Sequence, residues 1–252
     1  MLHLDDARFW YEPYPVCVIP NLIDPGQYKA LLEAYPPVDL FATLPEVGHK
    51  YVLSEKYHGA EYRRFLARCQ VWREFHDFVK SEAFVDAVDG FLVRSHVDIG
   101  LRAYRQPLAK RWKKLLRDVF AHRRLPRVHP GLYTRFEFSM LPSDGGCVIP
   151  HTDSPGKLIT LVVSMVGEGE WDTAWGGGTD MNRPRDASRS YNELNRNVDF
   201  EDVEVLRTFE FLPNQCVLFV KTFNSLHSVR PISAPGERRM RRTITINIEA
   251  DA

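Results

Sequence analysis

The stretch Cys147-Val-Ile-Pro-His-Thr-Asp-Ser-Pro-Gly-Lys-Leu-Ile-Thr-Leu-Val-Val-Ser-Met165 sets two short apolar runs on either side of a Ser-Pro-Gly turn. The second run is rich in β-branched residues, which suit a pleated, half-buried surface. From Pro130 onward the same habit persists, with period-two runs separated by clusters of Gly, Pro, Asn and Asp. Candidate strands cover residues 132–140, 147–151, 158–165, 176–180, 205–211, 216–220, 227–231 and 241–249. Short strands at that density, with turn signals between them, predict a barrel or a double-sheet jelly roll.

Towards the N-terminus the period changes. Pro15-Val-Cys-Val-Ile-Pro20 reads as one strand, after which Asp24-Pro25 supplies a cap and a first-turn proline. Tyr28, Leu31, Leu32 and Tyr35 follow at helical spacing until Pro36-Pro37 ends the run. One further amphipathic helix is expected through Phe65, Cys69, Trp72, His76 and Val79, and another through Phe84, Val85, Val88, Phe91 and Leu92. Trp112, Leu115, Leu116, Val119 and Phe120 predict one more. The expectation is an α+β chain, 1–252, forming a single domain. Residues 1–129 are mainly helical support with one N-terminal strand, and residues 130–250 are the β core.

Lysine plus arginine and aspartate plus glutamate both number 33, so no global field favours nucleic acid, a membrane surface or a polyanion. The local exception is the basic stretch Arg105 to Arg127, read as the solvated face of a helix, with nucleic acid, anionic lipid or saccharide as the other reading. Cys17, Cys69, Cys147 and Cys216 form no Cys-x-x-Cys pair, which disfavours a zinc knuckle or redox dithiol and suits a reducing, cytoplasmic setting. No run is apolar enough to span a bilayer, and the start MLHLDDARFW lacks the features of a signal peptide.

His-x-Asp occurs three times, at His3/Asp5, His96/Asp98 and His151/Asp153, whereas composition alone yields about one His-x-acid. Context separates them. His3 lies at the chain start, and His96 closes a helical pattern in which residues two apart face different ways. His151 and Asp153 end a predicted strand, where alternation places i and i+2 on one side. His227 begins another strand far downstream, and a rolled sheet can bring the two together. Two imidazoles and a carboxylate on one face of an ion leave the remaining positions open, the arrangement suited to non-haem iron(II).

Pro150-His-Thr-Asp153, Trp175-Gly-Gly-Gly178, Leu226-His-Ser-Val-Arg-Pro231 and Arg241-Arg-Thr-Ile-Thr-Ile-Asn247 together resemble the iron(II), 2-oxoglutarate-dependent oxygenases, in their prolyl-hydroxylase-like branch. Tyr14-Pro-Val-Cys-Val-Ile-Pro-Asn-Leu-Ile-Asp24 is similar to the strand and turn that open many such enzymes. The resemblance implies a double-stranded β-helix (jelly roll, cupin-like) core and Fe(II) held by His151, Asp153 and His227. It also implies 2-oxoglutarate as cosubstrate, O2 as oxidant and ascorbate as a candidate reductant. The implied activity is hydroxylation of an unactivated C–H bond, releasing succinate and CO2.

In such enzymes a basic residue after the distal histidine holds the far carboxylate of 2-oxoglutarate. Strand alternation puts Arg241, Thr243 and Thr245 on one face and Arg242 on the other, so Arg241 with Thr243 is the choice and Arg242 the fallback. Two departures stand out. The segment between His227 and Arg241 is lengthened by Ser233-Ala-Pro-Gly-Glu-Arg-Arg239. Ser164 stands where relatives often carry a cosubstrate-binding tyrosine, with Tyr133 or Arg135 as the nearest replacements.

The expected substrate is small and polar or anionic, such as a metabolite, amino-acid derivative or sugar. An oxygenase acting on a protein or nucleic-acid residue, and a cupin-like metal protein without 2-oxoglutarate, are the alternatives. Lys157 reads as a solvated turn lysine. Trp171 and Trp175 suit either the pocket mouth or the sheet edge. The Asn- and Arg-rich segment 180–202 is a candidate lid.

Overall fold

The computed structural model describes residues 2–45, 48–101, 131–236 and 238–250. Its centre is a pair of facing antiparallel four-stranded units. One unit comprises β5 (Leu132–Pro142), β7 (Lys157–Ser164), β10 (Cys216–Val220) and β12 (Met240–Ala250), in the order β10-β7-β12-β5. The other comprises β6 (Val148–His151), β8 (Thr179–Pro184), β9 (Val203–Phe209) and β11 (His227–Val229), in the order β6-β11-β8-β9. Apart from the β8–β9 pair, successive strands from β5 to β12 alternate between the sheets, giving the expected double-stranded β-helix with an added helical part.

The first sheet is wider than expected, because residues 1–129 contribute four strands where the sequence predicts one. β1 (Arg8–Trp10) and β2 (Val16–Ile19) extend it beyond β10, while β3 (Ala42–Leu44) and β4 (Lys50–Ser54) extend it beyond β5. β1 and β3 are three-residue edge strands, too short for a periodicity to register.

Alternation on the first sheet separates two environments. On β12, Ile244, Ile246 and Ile248 are fully buried on the outer face, against helices; Arg241, Thr243 and Asn247 are buried on the inner face, toward the second sheet. β5 repeats the pattern, with Phe136, Phe138 and Met140 outside and Arg135, Glu137, Ser139 and Leu141 inside. The main apolar core therefore lies between sheet and helices, while the barrel interior combines the polar side chains of β5 and β12 with smaller apolar clusters around Phe219 and Val229.

That outer core is covered by α1 (Pro25–Glu33), α2 (Gly59–Arg68), α3 (Gln70–Val79) and α4 (Glu82–Arg94). Asp24 caps α1 by accepting from the amides of Gly26 and Gln27, as the sequence predicts. The expected helix through Phe65 and Val79 is instead two helices, because Cys69 is extended (φ −104°, ψ 99°). Its amide closes α2 on Phe65 O (2.9 Å) and its carbonyl accepts from Arg73 (3.0 Å), so Cys69 itself stays paired on both sides, and no Gly or Pro signals the break. The turn lets Phe65 and Trp72 both reach Phe138, with ring centroids 5.6 and 4.7 Å away.

Trp72 is fully buried and donates its indole N–H to Ala34 O at 2.9 Å. Trp72→Ala is expected to cost about 3–5 kcal/mol, through the lost burial and the cavity left behind. Urea unfolding should show it as a lower midpoint with an unchanged slope. Among the described residues no helix is long and apolar enough to cross a membrane. The predicted basic helix around Trp112 and Leu116 lies outside the described residues.

Candidate active site

His151 and His227 are cross-strand partners. In the β6–β11 register they stand opposite one another, with ring centroids 4.4 Å apart. Each ring is oriented by its own backbone: His151 Nδ1 lies 2.8 Å from Ile149 O, and His227 Nδ1 lies 2.9 Å from Ser225 O. A carbonyl can only accept, so both Nδ1 atoms carry a proton, and in the neutral ring the lone pair is left on Nε2, turned toward Asp153. Burial pushes His227 down to about 3, with His151 adding to the effect, so its ring is a neutral donor at physiological pH.

Asp153 closes the cluster in a way the sequence does not predict. β6 ends at His151, so strand alternation does not aim the carboxylate. Asp153 instead adopts the left-handed conformation (φ 72°), a backbone state uncommon outside glycine, and this turns its side chain back toward the imidazoles. Its Oδ1 lies 3.5 Å from His151 Nε2 and its Oδ2 lies 3.8 Å from His227 Nε2. One ligand atom from each of the three residues falls within 4.8 Å of the others, the one such grouping of at least three His, Cys, Asp or Glu among the described residues.

The carboxylate is firmly ionised. Burial alone would raise its pKa, but Lys157 and the two imidazoles outweigh burial and hold it well below the usual range. Thr160 adds a hydroxyl donor to Oδ2 at 2.9 Å. Lys157 is thus no solvated turn lysine; its ammonium donates to Asp153 Oδ1 and its side chain is 13% exposed.

Deeper along β12, Arg241 is 5% exposed and faces the barrel interior, whereas Arg242 faces outward and pairs with Glu170 at 2.9 Å. Arg241 Nε donates to Gly177 O, and its guanidinium carbon lies 4.7 Å from the Phe211 ring centroid. Among the described residues no carboxylate is in ion-pair distance of it. Burial pushes its pKa down to about 10, which leaves it charged at neutral pH. Thr243, beside it on the same face, is buried and shares a 2.8 Å hydrogen bond with Ser139. Arg241, Thr243, His151, Asp153 and His227 line one cavity of about 100 Å³.

The Gly-rich segment holds that arginine in place. Gly177 has φ 82°, and a Cβ there would sit 3.1 Å from the Trp171 ring and 3.2 Å from Arg241 Cδ. Gly177→Ala is therefore expected to destabilise by about 1–2 kcal/mol from backbone strain alone. It should also displace Arg241, which thermal unfolding with and without 2-oxoglutarate would separate. Trp171 and Trp175 pack on each other at 5.4 Å, and Trp171 on Phe211 at 5.3 Å, so they brace this wall.

Ser164, at the place of the expected tyrosine, is buried but does not line the cavity; Arg135 does. Segment 180–202 departs from a simple lid. Its start is β8, and Arg183, Arg185 and Arg189 are engaged locally with Glu204, Glu201 and Asp202. Asn195 and Asn197, farther along, do reach a second cavity that shares His151, Asp153 and Lys157 with the first. Inward-facing Arg135 and the Lys50–Glu137 pair at 2.8 Å are further site residues. The alternation of β5 carried the only sequence signal for Arg135 and Glu137.

No protein-family model and no curated protein sequence matches the chain. Solved structures do. A Pseudomonas putida prolyl-4-hydroxylase is 13% identical with a TM-score of 0.50, covering 94% of this chain and 92% of its own. A Trichoplax adhaerens prolyl hydroxylase, solved with a hypoxia inducible factor peptide, is 15% identical with a TM-score of 0.45, covering 93% and 83%. HygX from Streptomyces hygroscopicus, solved with nickel and 2-oxoglutarate, is 10% identical with a TM-score of 0.46, covering 93% and 82%. At such identities the likeness is one of fold, and the Pseudomonas structure carries it: the chain has the double-stranded β-helix of that hydroxylase.

Proposed function

We propose that the protein is an iron(II), 2-oxoglutarate-dependent oxygenase that hydroxylates a small polar substrate. The observation that carries this reading is the pairing, in one cavity, of a His-Asp-His cluster with a buried arginine that has no carboxylate partner among the described residues. A buried guanidinium without a counter-ion is costly unless an anion joins it. A cupin-like metal protein without 2-oxoglutarate has no need of that charge. β1 to β4 extend the same sheet as the catalytic strands, which supports one oxygenase domain.

His151, Asp153 and His227 would hold the metal, and their donor set of two neutral nitrogens and one carboxylate suits iron(II). When bound, iron with 2-oxoglutarate and O2 supplies oxidative decarboxylation, which converts cosubstrate and R–H into succinate, CO2 and R–OH. The chain's own part is positional. Arg241 grips the far carboxylate of the cosubstrate by a guanidinium fork, with Thr243 beside it. Ile149 and Ser225 carbonyls fix the imidazole tautomers, and Thr160 and Lys157 hold the Asp153 carboxylate.

Anaerobic titration of the protein with iron(II) and 2-oxoglutarate tests the reading. A visible charge-transfer band from the metal to the keto acid is expected, followed in air by substrate-stimulated succinate release. No band under saturating conditions would sink the cosubstrate assignment.

A further inference from the structure

Next to the metal cluster lies a second cavity of about 310 Å³, walled by β4, β5 and the turns carrying Lys56, Tyr57, Asn195 and Asn197. Its charges are unevenly balanced. Lys50 is paired with Glu137 at 2.8 Å, and Lys157 with Asp153. Arg135 reaches Glu249 through one terminal nitrogen at 3.1 Å, yet its buried Nε has no hydrogen-bond partner. Lys56 lies 5.1 Å over the Tyr57 ring, and among the described residues no carboxylate pairs with it.

Arg135, whose side chain is 29% exposed, and Lys56 both line this cavity. Two cationic side chains, one paired through a single terminal nitrogen and one with no carboxylate partner among the described residues, call for an acceptor-rich anion.

We infer that this outer chamber binds the anionic end of a small substrate, a carboxylate or phosphate ester, on Arg135 and Lys56. The substrate's reacting carbon then faces the His151–Asp153–His227 cluster. The inference names a substrate class for the oxygenase proposed above and rests on that reading for its chemistry, though not for its binding step.

The test is calorimetric titration of inorganic phosphate into the full-length protein without metal, at low ionic strength. Phosphate should bind the wild type, with a dissociation constant raised about tenfold in Arg135→Gln by loss of a charge-assisted hydrogen bond. Lys56→Met should raise it about threefold, as suits an exposed charge. Arg241→Met should leave it unchanged.

Lys56 is exposed and makes no structural ion pair, so its variant stays interpretable even if Arg135→Gln folds poorly. Absence of phosphate binding by the wild type, or unchanged affinity in Lys56→Met, overturns the inference. So does weakening confined to Arg241→Met, which would put the anion in the inner cavity. Because phosphate binding needs neither iron nor 2-oxoglutarate, a missing charge-transfer band with intact phosphate binding sinks the oxygenase reading alone. A normal band without phosphate binding sinks the substrate class alone.

Discussion

Replacing His227 with alanine is expected to leave a folded protein that no longer holds iron, with 2-oxoglutarate-dependent succinate release reduced more than ~100-fold. Changes to groups that merely orient metal ligands typically cost about 10–100-fold in affinity or activity, and loss of a ligand should exceed that. Metal binding also supplies a readout independent of turnover. A ligand at a hundred times its dissociation constant stabilises the fold by about 2.7 kcal/mol, so iron(II) or cobalt(II) should raise the unfolding midpoint of the wild type and not of His227→Ala. Asp153→Ala is the less clean variant. It strands the ammonium of Lys157, 13% exposed, beside a lost carboxylate, so the apo fold should weaken as well. A metal-induced rise that survives in both variants would remove these residues from the site.

The β core was legible because its strands carry two alternating environments, both recorded in residue type. Thr-Ile-Thr-Ile-Asn-Ile-Glu along β12 encodes apolar contacts toward helices and polar contacts toward the cavity, so the strand and its faces could be read together. β10, Cys216–Val220, matches its predicted span because its ends coincide with turn chemistry. The misjudged pieces lack such a record. Cys69 interrupts a continuous apolar stripe without a Gly or Pro, its own amide and carbonyl serving as the end of one helix and the start of the next. β8 starts and ends later than the spacing predicts, because Gly176 and Gly177 at positive φ belong to the preceding turn and the strand continues to Pro184.

The cluster itself was half legible. Strand register brings His151 opposite His227, and both could be located from where their strands end and begin. The aim of Asp153 depends on a left-handed backbone angle, which no side-chain alternation encodes. The link from Lys157 to that carboxylate was missed for a related reason. A turn lysine is usually solvated, and only the fold of the turn over the cavity makes this one a counter-ion. Lys56, Arg135 and Asn195 come from three distant segments, so their shared cavity has no linear signature.

Arg241→Met should separate stability from binding, moving them in opposite directions. In the protein without cosubstrate, a 5% exposed guanidinium has one backbone acceptor, an aromatic face and no carboxylate among the described residues. Burying a charge so weakly compensated costs several kcal/mol, so an apolar side chain of similar length should raise the unfolding midpoint, offset by the lost bond to Gly177 O. Binding should suffer. Two charge-assisted hydrogen bonds to a carboxylate are together worth about 3–6 kcal/mol, which corresponds to a KM for 2-oxoglutarate raised roughly 100-fold or more. The maximal rate at saturating cosubstrate should fall less, because on the proposed reading the arginine would contact the carboxylate remote from the reacting atoms. Arg241→Lys should recover part of the affinity, since a point charge survives but the planar fork does not. Arg242→Met is the internal control: its guanidinium lies outside the barrel with Glu170 and Tyr35, so the cosubstrate KM should not move. The reverse pattern, an unchanged KM in Arg241→Met and a raised one in Arg242→Met, would show that the strand presents the other arginine to the cavity in solution.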